Sequence, residues 1–278
     1  MSTSKNLNKD HLDRFYTKPS VVDDLLETIS VKDYDVVVEP SAGTGNWSSK
    51  IEDCVAIDIV PGHPDIMKGD FLIDDFLFEE MKEENNILVI GNPPFGKMGK
   101  SAVDFFNKAA EFADTIAFIL PRSFRKETLQ RRLDKNFWLI KDIDMYKKDY
   151  FVFEDNSWHT SCVFQIWVKS TEKRDVKPRK AIKPIGFSYV KRECANLVVR
   201  RVGGAAGRAF ADRIKDRAIE GNYFLKVDTP KIIATTINNH RFSPDVYDTV
   251  GPESLIKGEL TSFINSIKTT TYNIKKKP

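Results

Sequence analysis

Ile87-Leu88-Val89-Ile90-Gly91-Asn92-Pro93-Pro94-Phe95-Gly96-Lys97 is the stretch that decides the fold. Its apolar opening reads as a buried strand. Two prolines stop that strand, because each fixes φ and removes a ladder donor. A polar amide, Asn92, and an aromatic ring, Phe95, are therefore presented at the carboxyl end of a strand. In open α/β sheets that end is where ligands bind.

Such a tip suits one kind of chemistry. The lone pair of an exocyclic amine on a heteroaromatic ring is delocalised, so the nitrogen is a poor nucleophile. Two acceptors aimed at its hydrogens draw it toward a tetrahedral, more reactive nitrogen. The side-chain oxygen of Asn92 is one candidate acceptor and the carbonyl of Pro93 is the other, with Pro94 stiffening the tip and Phe95 placed to stack on the ring. The proton becomes acidic only as the new bond forms, so this is electrostatic preorganisation more than base catalysis.

Upstream of the tip, Asp35–Glu39 reads as a first strand, followed by Pro40-Ser41-Ala42-Gly43-Thr44-Gly45-Asn46-Trp47, a glycine turn expected to lead into a helix. Small residues there let a ligand approach the backbone. The turn lacks the third glycine of the dinucleotide fingerprint and the Gly-Lys-Ser/Thr of a P-loop. Cys54–Asp58 is a second strand, with a carboxylate placed to accept from ribose hydroxyls. Asp65–Phe71 is a third, ending in Asp70 and Phe71. Arg14–Pro19 precedes a helical pattern from Ser20 to about Ile29, with Pro19 near its start and Ser20 as a possible cap.

Taken together, Phe15-Tyr16-Thr17-Lys18-Pro19, Glu39-Pro40-Ser41-Ala42-Gly43-Thr44-Gly45, Asp58, Gly69-Asp70-Phe71 and Asn92-Pro93-Pro94-Phe95 resemble S-adenosylmethionine-dependent amino methyltransferases of the adenine-N6 type. The order resembles the class with the cofactor region first, then the catalytic region, then target recognition. The resemblance covers roughly residues 12–168. It implies that Phe15, Tyr16 and Thr17 line the methionine end of the cofactor, and that Glu39, Ser41, Gly43 and Gly45 surround its amino-acid part. It implies Asp58 on the ribose and Asp70 and Phe71 at the adenine. Asn92 and Pro93 would hold the target amine, with Phe95 stacked on a base flipped out of its duplex. A second aromatic on the other face of that base would be Phe151, Phe153 or Trp158.

Downstream, Ser101–Phe112 reads as a helix, Thr115–Pro121 as a fifth strand and Lys126–Asn136 as a basic helix. Trp138–Met145 and Ser161–Val168 are the sixth and seventh strands, and their short link suggests an antiparallel pair. Arg122, Arg125 and Lys126 follow the fifth strand at the end where the site lies and are candidate phosphate contacts. Ser170–Pro184 is polar, basic and proline-bearing, and reads as a linker or mobile loop. Beyond it, Leu197–Val202 and Tyr223–Val227 look like strands, Gly203–Arg208 a flexible basic loop, and Thr229–His240 and Gly251–Ile267 helices. Arg200 and Arg201 are further candidate contacts to nucleic acid.

The expected organisation is thus a catalytic domain over 1–169, a basic linker over 170–184 and a target-recognition region over 185–278. The expected fold is α/β: a Rossmann-like, seven-stranded methyltransferase sheet, mostly parallel, with a small C-terminal α+β appendage.

Charge is unevenly spread along the chain. The net charge is +3, but residues 1–95 carry 8 Lys and Arg against 19 Asp and Glu, and the remainder 35 against 21. An acidic half suits a small ligand and a basic half a polyanion. Three cysteines without paired spacing exclude a disulfide framework, and His11, His63, His159 and His240 are scattered without metal-ligand spacing. There is no apolar run long enough to span a membrane and no secretory signal at the N-terminus, so a cytoplasmic protein is expected. The expected cofactor is S-adenosylmethionine and the expected partner nucleic acid, DNA before RNA, as in restriction-modification. The oligomeric state is left open, and a monomer is compatible. Alternatives are the same chemistry on RNA or at cytosine N4, glutamine methylation of a protein, for which Tyr usually replaces Phe95, and a non-catalytic nucleic-acid-binding subunit.

Overall fold

The computed structural model describes residues 15–74, 86–145, 150–153, 156–158, 161–176, 182–240, 242 and 254–274. They form two compact units, Met1–Val176 and Lys177–Pro278.

The first unit is built on a sheet of seven strands. In chain order its members are β2 (Val36–Glu39), β3 (Val55–Asp58), β4 (Met67–Lys68), β5 (Ile87–Gly91), β6 (Thr115–Pro121), β7 (Phe137–Met145) and β10 (Cys162–Lys169). Their spatial order is β4-β3-β2-β5-β6-β10-β7. β10 runs antiparallel to both neighbours, Cys162 facing Pro121 on one side and Met145 on the other, and the other six strands are parallel. The expected Rossmann-like seven-stranded sheet is what forms, including the antiparallel last pair.

Strict alternation builds its two faces. Ile87 and Val89 of β5, with Ile116, Phe118 and Leu120 of β6, pack on one side against α2 (Lys100–Ala110). Leu88 and Ile90, with Ala117 and Ile119, pack on the other against α1 (Pro19–Leu26). All five residues of β5 and all seven of β6 are buried, as strands covered on both faces must be. A three-stranded ribbon completes this unit: β1 (Tyr16–Thr17), β8 (Phe151–Phe153) and β9 (Asn156–Trp158), with Tyr16 opposite Val152 and Thr17 opposite Phe151.

Local departures from the sequence reading have local causes. The helix expected after the glycine turn is a single 3-10 turn, Ser48–Lys50. Only a few residues separate Trp47 from β3, and the Ser48 amide is taken by Glu39 rather than by a helical carbonyl. The expected basic helix shrinks to α3 (Glu127–Gln130). Past it, Asp134 accepts the Asn136 amide and Asn107 accepts the Asp134 amide, so side chains replace the helical acceptors. The third strand is only Met67–Lys68, and α1 starts with Pro19 at N1, so Lys18, not Ser20, is its cap position.

Ser170–Val176, read as the start of a mobile linker, is tied down. The Ser170 and Arg174 amides donate to Asn136 and Lys135. The Arg174 guanidinium donates to the carbonyls of Gln130, Leu133 and Asp134 and lies 5.1 Å from the Trp167 ring centroid.

The second unit is an α+β appendage. Its antiparallel sheet has the order β11-β14-β12-β13: β11 (Phe187–Tyr189), β12 (Leu197–Arg200), β13 (Ala209–Phe210) and β14 (Asn222–Val227). Helices α4 (Pro230–Asn239) and α5 (Lys257–Ile274) share a core with it, centred on Leu197, Leu225, Ile233, Ile237, Leu260 and Ile264. The helix expected from Gly251 begins at Lys257, Ser254 forming a bridge with Val202 instead. The appendage holds 20 Lys and Arg against 9 Asp and Glu, so the basic charge of the chain is concentrated there.

Candidate active site

The chain enters the sheet at β2, moves outward through β3 to β4, and returns to β5 on the other side of β2. The reversal leaves a crevice at the carboxyl ends of β2 and β5, the place where ligands bind in such sheets. Glu39 ends β2, Asp58 ends β3 and Gly91-Asn92 ends β5.

Asn92 is held by both ends. Its Nδ2 donates to the Phe15 carbonyl at 2.8 Å, and its own carbonyl accepts from Ser41 Oγ at 3.1 Å. The amide nitrogen is thereby fixed, which sets the opposite end of the amide group. Oδ1 is buried and has no hydrogen-bond partner among the described residues. A buried polar atom without a partner is costly, and native structures rarely keep one without a use. The residue before it, Gly91, has φ 146°, and a Cβ there would lie 3.4 Å from Glu39 Cγ. Phe95 is half-buried against the α1 side of the core.

The glycine turn closes on the N-terminal strand. Gly43 has φ 55°, and a Cβ on it would sit 2.5 Å from Tyr16 Cε1, so the Tyr16 ring occupies the space that glycine leaves. The Gly43 amide donates to Asp58 Oδ2 at 2.7 Å and the Val60 amide to Asp58 Oδ1 at 2.8 Å. Asn46 Nδ2 donates to the Thr17 carbonyl at 2.7 Å. Thr17 is buried and its Oγ1 has no partner among the described residues.

Glu39 is 1% exposed. Its Oε2 accepts the Ser48 amide at 2.9 Å. Burial pushes its carboxyl up to about 8, with the nearby Asp58 adding to the rise and the Ser48 hydrogen bonds opposing it. Cys54, half-buried near Glu39, is pushed up to about 12 by its burial and by that carboxyl.

Phe15, Ser41 and Asn92 are therefore joined by direct hydrogen bonds, as are Gly43 and Asp58, with the Tyr16 ring packed on Gly43; Thr17 is held through Asn46 and Glu39 through Ser48. Gly45 extends the turn, its amide donating to Ala42. Asp70 is more distant. Its Oδ1 accepts the Leu72 amide, and it is joined to the group through Gly69, whose amide donates to the Asp58 carbonyl. Phe71 lies in the core at 1% exposure, its ring stacked on Phe105 with centroids 5.4 Å apart. Phe151 is also fully buried, as a partner of Thr17 in the ribbon, so its ring is a core ring. The side chains of Phe153 and Trp158, and residue His159, lie outside the described residues.

Sequence reasoning missed Asn46 and Ser48, which hold Thr17 and Glu39. It also missed Gly62, whose amide donates to the Gly43 carbonyl at 2.7 Å. A Cβ on Gly62 would lie 2.8 Å from that oxygen. Pro61-Gly62-His63-Pro64 was the available signal, a turn pressed on the glycine loop.

The basic candidates are committed within the chain to differing degrees. Arg125 bonds both Asp142 and Asp144 of β7, and those bonds raise its already high basicity further. Arg122 lies 3.6 Å from Asp144. Lys126 is half-buried at the start of α3. In the appendage, Arg200 Nε donates to the Val202 carbonyl, whereas Arg201 is exposed over the Tyr223 ring at 5.9 Å. Among the described residues no group of three His, Cys, Asp or Glu could hold a metal, and no helix is long and apolar enough to cross a membrane.

No family model and no curated protein matches the chain. Similar solved structures include a presumed RNA methyltransferase of Pyrococcus horikoshii, at 16% identity and TM-score 0.43 over 57% of this chain and 88% of that one. The 23S rRNA methyltransferase ErmE is similar at 14% identity and TM-score 0.39, over 58% and 71%. The modification subunit of a presumed type I restriction enzyme from Vibrio vulnificus is similar at 15% and 0.39, over 58% and 46%. Likenesses this remote carry no argument about activity, which has to come from the site itself.

Proposed function

We propose that the chain is an S-adenosylmethionine-dependent methyltransferase that acts on an exocyclic amine, the N6 amine of adenine in DNA. The observation that carries the reading is Asn92: its Nδ2 is fixed on the Phe15 carbonyl, and its buried Oδ1 has no partner among the described residues, at the strand end where ligands bind. An amine hydrogen supplies the donor that this oxygen lacks.

The residues fit the cofactor on two further counts. Thr17 Oγ1 is a second buried atom without a partner among the described residues, on the strand packed against the glycine turn. Glu39, a buried carboxyl with no cation paired to it among the described residues, is suited to the ammonium of an amino acid. In this reading Phe15, Tyr16 and Thr17 flank the methionine end, and Glu39, Ser41, Gly43 and Gly45 surround its amino-acid group. Asp58 has its two oxygens on backbone amides and accepts from ribose hydroxyls with its remaining lone pairs. Asp70 accepts from the adenine amine, while Phe71 supports that side from within the core. The bound cofactor supplies an electrophilic methyl group.

Asn92 and the Pro93 carbonyl accept from the target amine and stabilise the positive charge that grows on its nitrogen. Pro94 fixes the tip, and Phe95 packs against the target ring. No residue need take the proton until the new bond has formed. Positioning supplies the rest of the rate.

DNA is preferred because the resemblance is to adenine-N6 enzymes of DNA; the basic charge gathered in one unit suits either polymer. The test is transfer of label from S-adenosylmethionine to duplex DNA, single-stranded DNA, total RNA and a protein extract, with Asn92→Ala as control and digestion of the product to nucleosides. Label in N6-methyladenine of DNA is the expected result. Label in RNA moves the substrate and keeps the chemistry. Turnover that persists in Asn92→Ala overturns the assignment.

A further inference from the structure

The appendage contains a cavity of about 400 Å³ between β11, β14 and the start of α5, lined among others by Tyr189, Lys191, Arg192, Ile219, Tyr223 and Lys257. We propose that this cavity holds one unpaired nucleotide of the nucleic acid, its base against the tyrosine rings and its phosphates on Lys191 and Lys257. The proposal rests on the reading above only in taking a nucleic acid as the substrate; it does not use the Asn92 site.

Three observations point to that ligand. The first is the placement of the aromatic rings. Tyr189 and Tyr223 meet edge to face, with centroids 5.9 Å apart. Their hydroxyls are spent within the unit: Tyr189 bonds Thr261 and the Lys257 carbonyl, and Tyr223 donates to the Leu255 carbonyl. The phenol ends are anchored, and both residues line the cavity. Anchored rings are stacking platforms for bases of any identity.

The second observation is charge. Arg192 pairs with Glu193 at 3.5 Å, which leaves Lys191 and Lys257 as the net charge of the lining. Both lysines are exposed, and the Lys257 ammonium lies over one face of the Tyr189 ring, 4.2 Å from its centroid, where it can meet a phosphate while the base takes the remaining aromatic surface. A cation beside an aromatic wall matches an anionic backbone beside a base. The surrounding unit carries 20 basic against 9 acidic residues, so its field attracts the same polymer.

The third is an apolar residue with no core to serve. Ile219 lines the cavity and is 63% exposed. It offers a base a second apolar contact. The volume lies within the ~300–1,000 Å³ of sites that enclose a small molecule. A paired base cannot enter such a cavity, so the ligand is a nucleotide from a loop, an end or an opened duplex.

The test uses the full chain and labelled six-nucleotide single strands of DNA and RNA, each with one 2-aminopurine. Anisotropy reads affinity, and quenching of 2-aminopurine reads stacking. The wild type is expected to bind with quenching. Lys191→Glu combined with Lys257→Glu, two exposed positions, is expected to weaken binding about tenfold or more and to lower the salt slope by roughly one, while S-adenosylmethionine binding stays unchanged. Tyr189→Leu is expected to lose the quenching with a smaller loss of affinity.

Unchanged affinity and slope in the double variant overturn the proposal. So does competition by a poly-glutamate peptide as strong as that of an unlabelled hexamer, because charge alone would then explain binding. Loss of binding in the double variant alongside a polymer that is never methylated supports the cavity and sinks the catalytic reading. Intact polymer binding in the double variant with Asn92-dependent turnover does the reverse.

Discussion

Glu39→Gln isolates the most perturbed group of the site. A carboxyl with a native value of about 8 and an ordinary value of 4.5 keeps its proton in the fold where the unfolded chain has lost it. Between those two pH values the native state binds more protons, so stability falls as pH rises through the window and levels off above about 8. From pH 4.5 to pH 7 the fall is 2.5 pH units at about 1.4 kcal/mol each, or at most about 3 kcal/mol. Glutamine keeps an oxygen for the Ser48 amide and cannot ionise.

The difference in unfolding free energy between variant and wild type should therefore grow by up to about 3 kcal/mol across that range. Urea unfolding at half-unit steps from pH 4.5 to 9, at constant ionic strength, measures it. What counts is the divergence of the two curves, since an amide in place of the acid also shifts their absolute heights. Parallel curves would refute the argument that burial governs this carboxyl. If a cofactor ammonium docks on Glu39, binding at pH 7 should also release close to one proton. Titration calorimetry in buffers of different ionisation enthalpy reads that release, and Glu39→Gln should abolish it.

Asn92→Ala should abolish methyl transfer while cofactor affinity stays within a few-fold; equal turnover by the variant would remove Asn92 from the chemistry. Asp58→Ala strips acceptors from the Gly43 and Val60 amides, so cofactor binding should weaken and the melting temperature should fall; an unchanged dissociation constant would end its ribose role. Gly43→Ala forces a Cβ to within 2.5 Å of the Tyr16 ring at a φ of 55°, and a loss of about 1–3 kcal/mol is expected from unfolding curves. Arg125→Ala leaves Asp142 and Asp144 without their shared cation, so stability should drop by about 1–3 kcal/mol. A stable variant with reduced polymer affinity would instead make Arg125 a phosphate contact.

The sheet was legible because its strands are short apolar runs bounded by Gly, Pro and acid, and seven such runs became seven strands. The site was legible where chemistry and turn geometry coincide, as at Gly43 and Asn92. Length and partners were not legible where side chains replace backbone acceptors. Lys126–Asn136 has helical composition, yet Asn107, remote in sequence, takes the Asp134 amide. Arg125 looks like a phosphate ligand next to a strand end, and only pairing of β7 with β10 brings its two aspartates to it. Phe71 sits in sequence beside an acid at a strand end, but Phe105 and Phe112 claim its ring. The ribbon of β1, β8 and β9 had no signal in hydrophobic periodicity, because two- and three-residue strands are too short to show one.

β10 lies between β6 and β7, although both precede it in the chain. A ribosome therefore delivers the two flanking strands before the one that joins them. Until Cys162–Lys169 has emerged, the seven buried residues of β6 present an uncovered apolar edge, and β7 has no neighbour in the sheet. β1 likewise waits for Phe151 and Val152, more than a hundred residues downstream. The crevice is thus assembled from both ends of the first unit and is complete only when synthesis of that unit is nearly over. A nascent chain halted after Met145 has most of the site's residues and an open edge suited to aggregation. For this topology the hazardous interval of biosynthesis is set by the distance from Pro121 to Lys169, and a holdase would have most to do there.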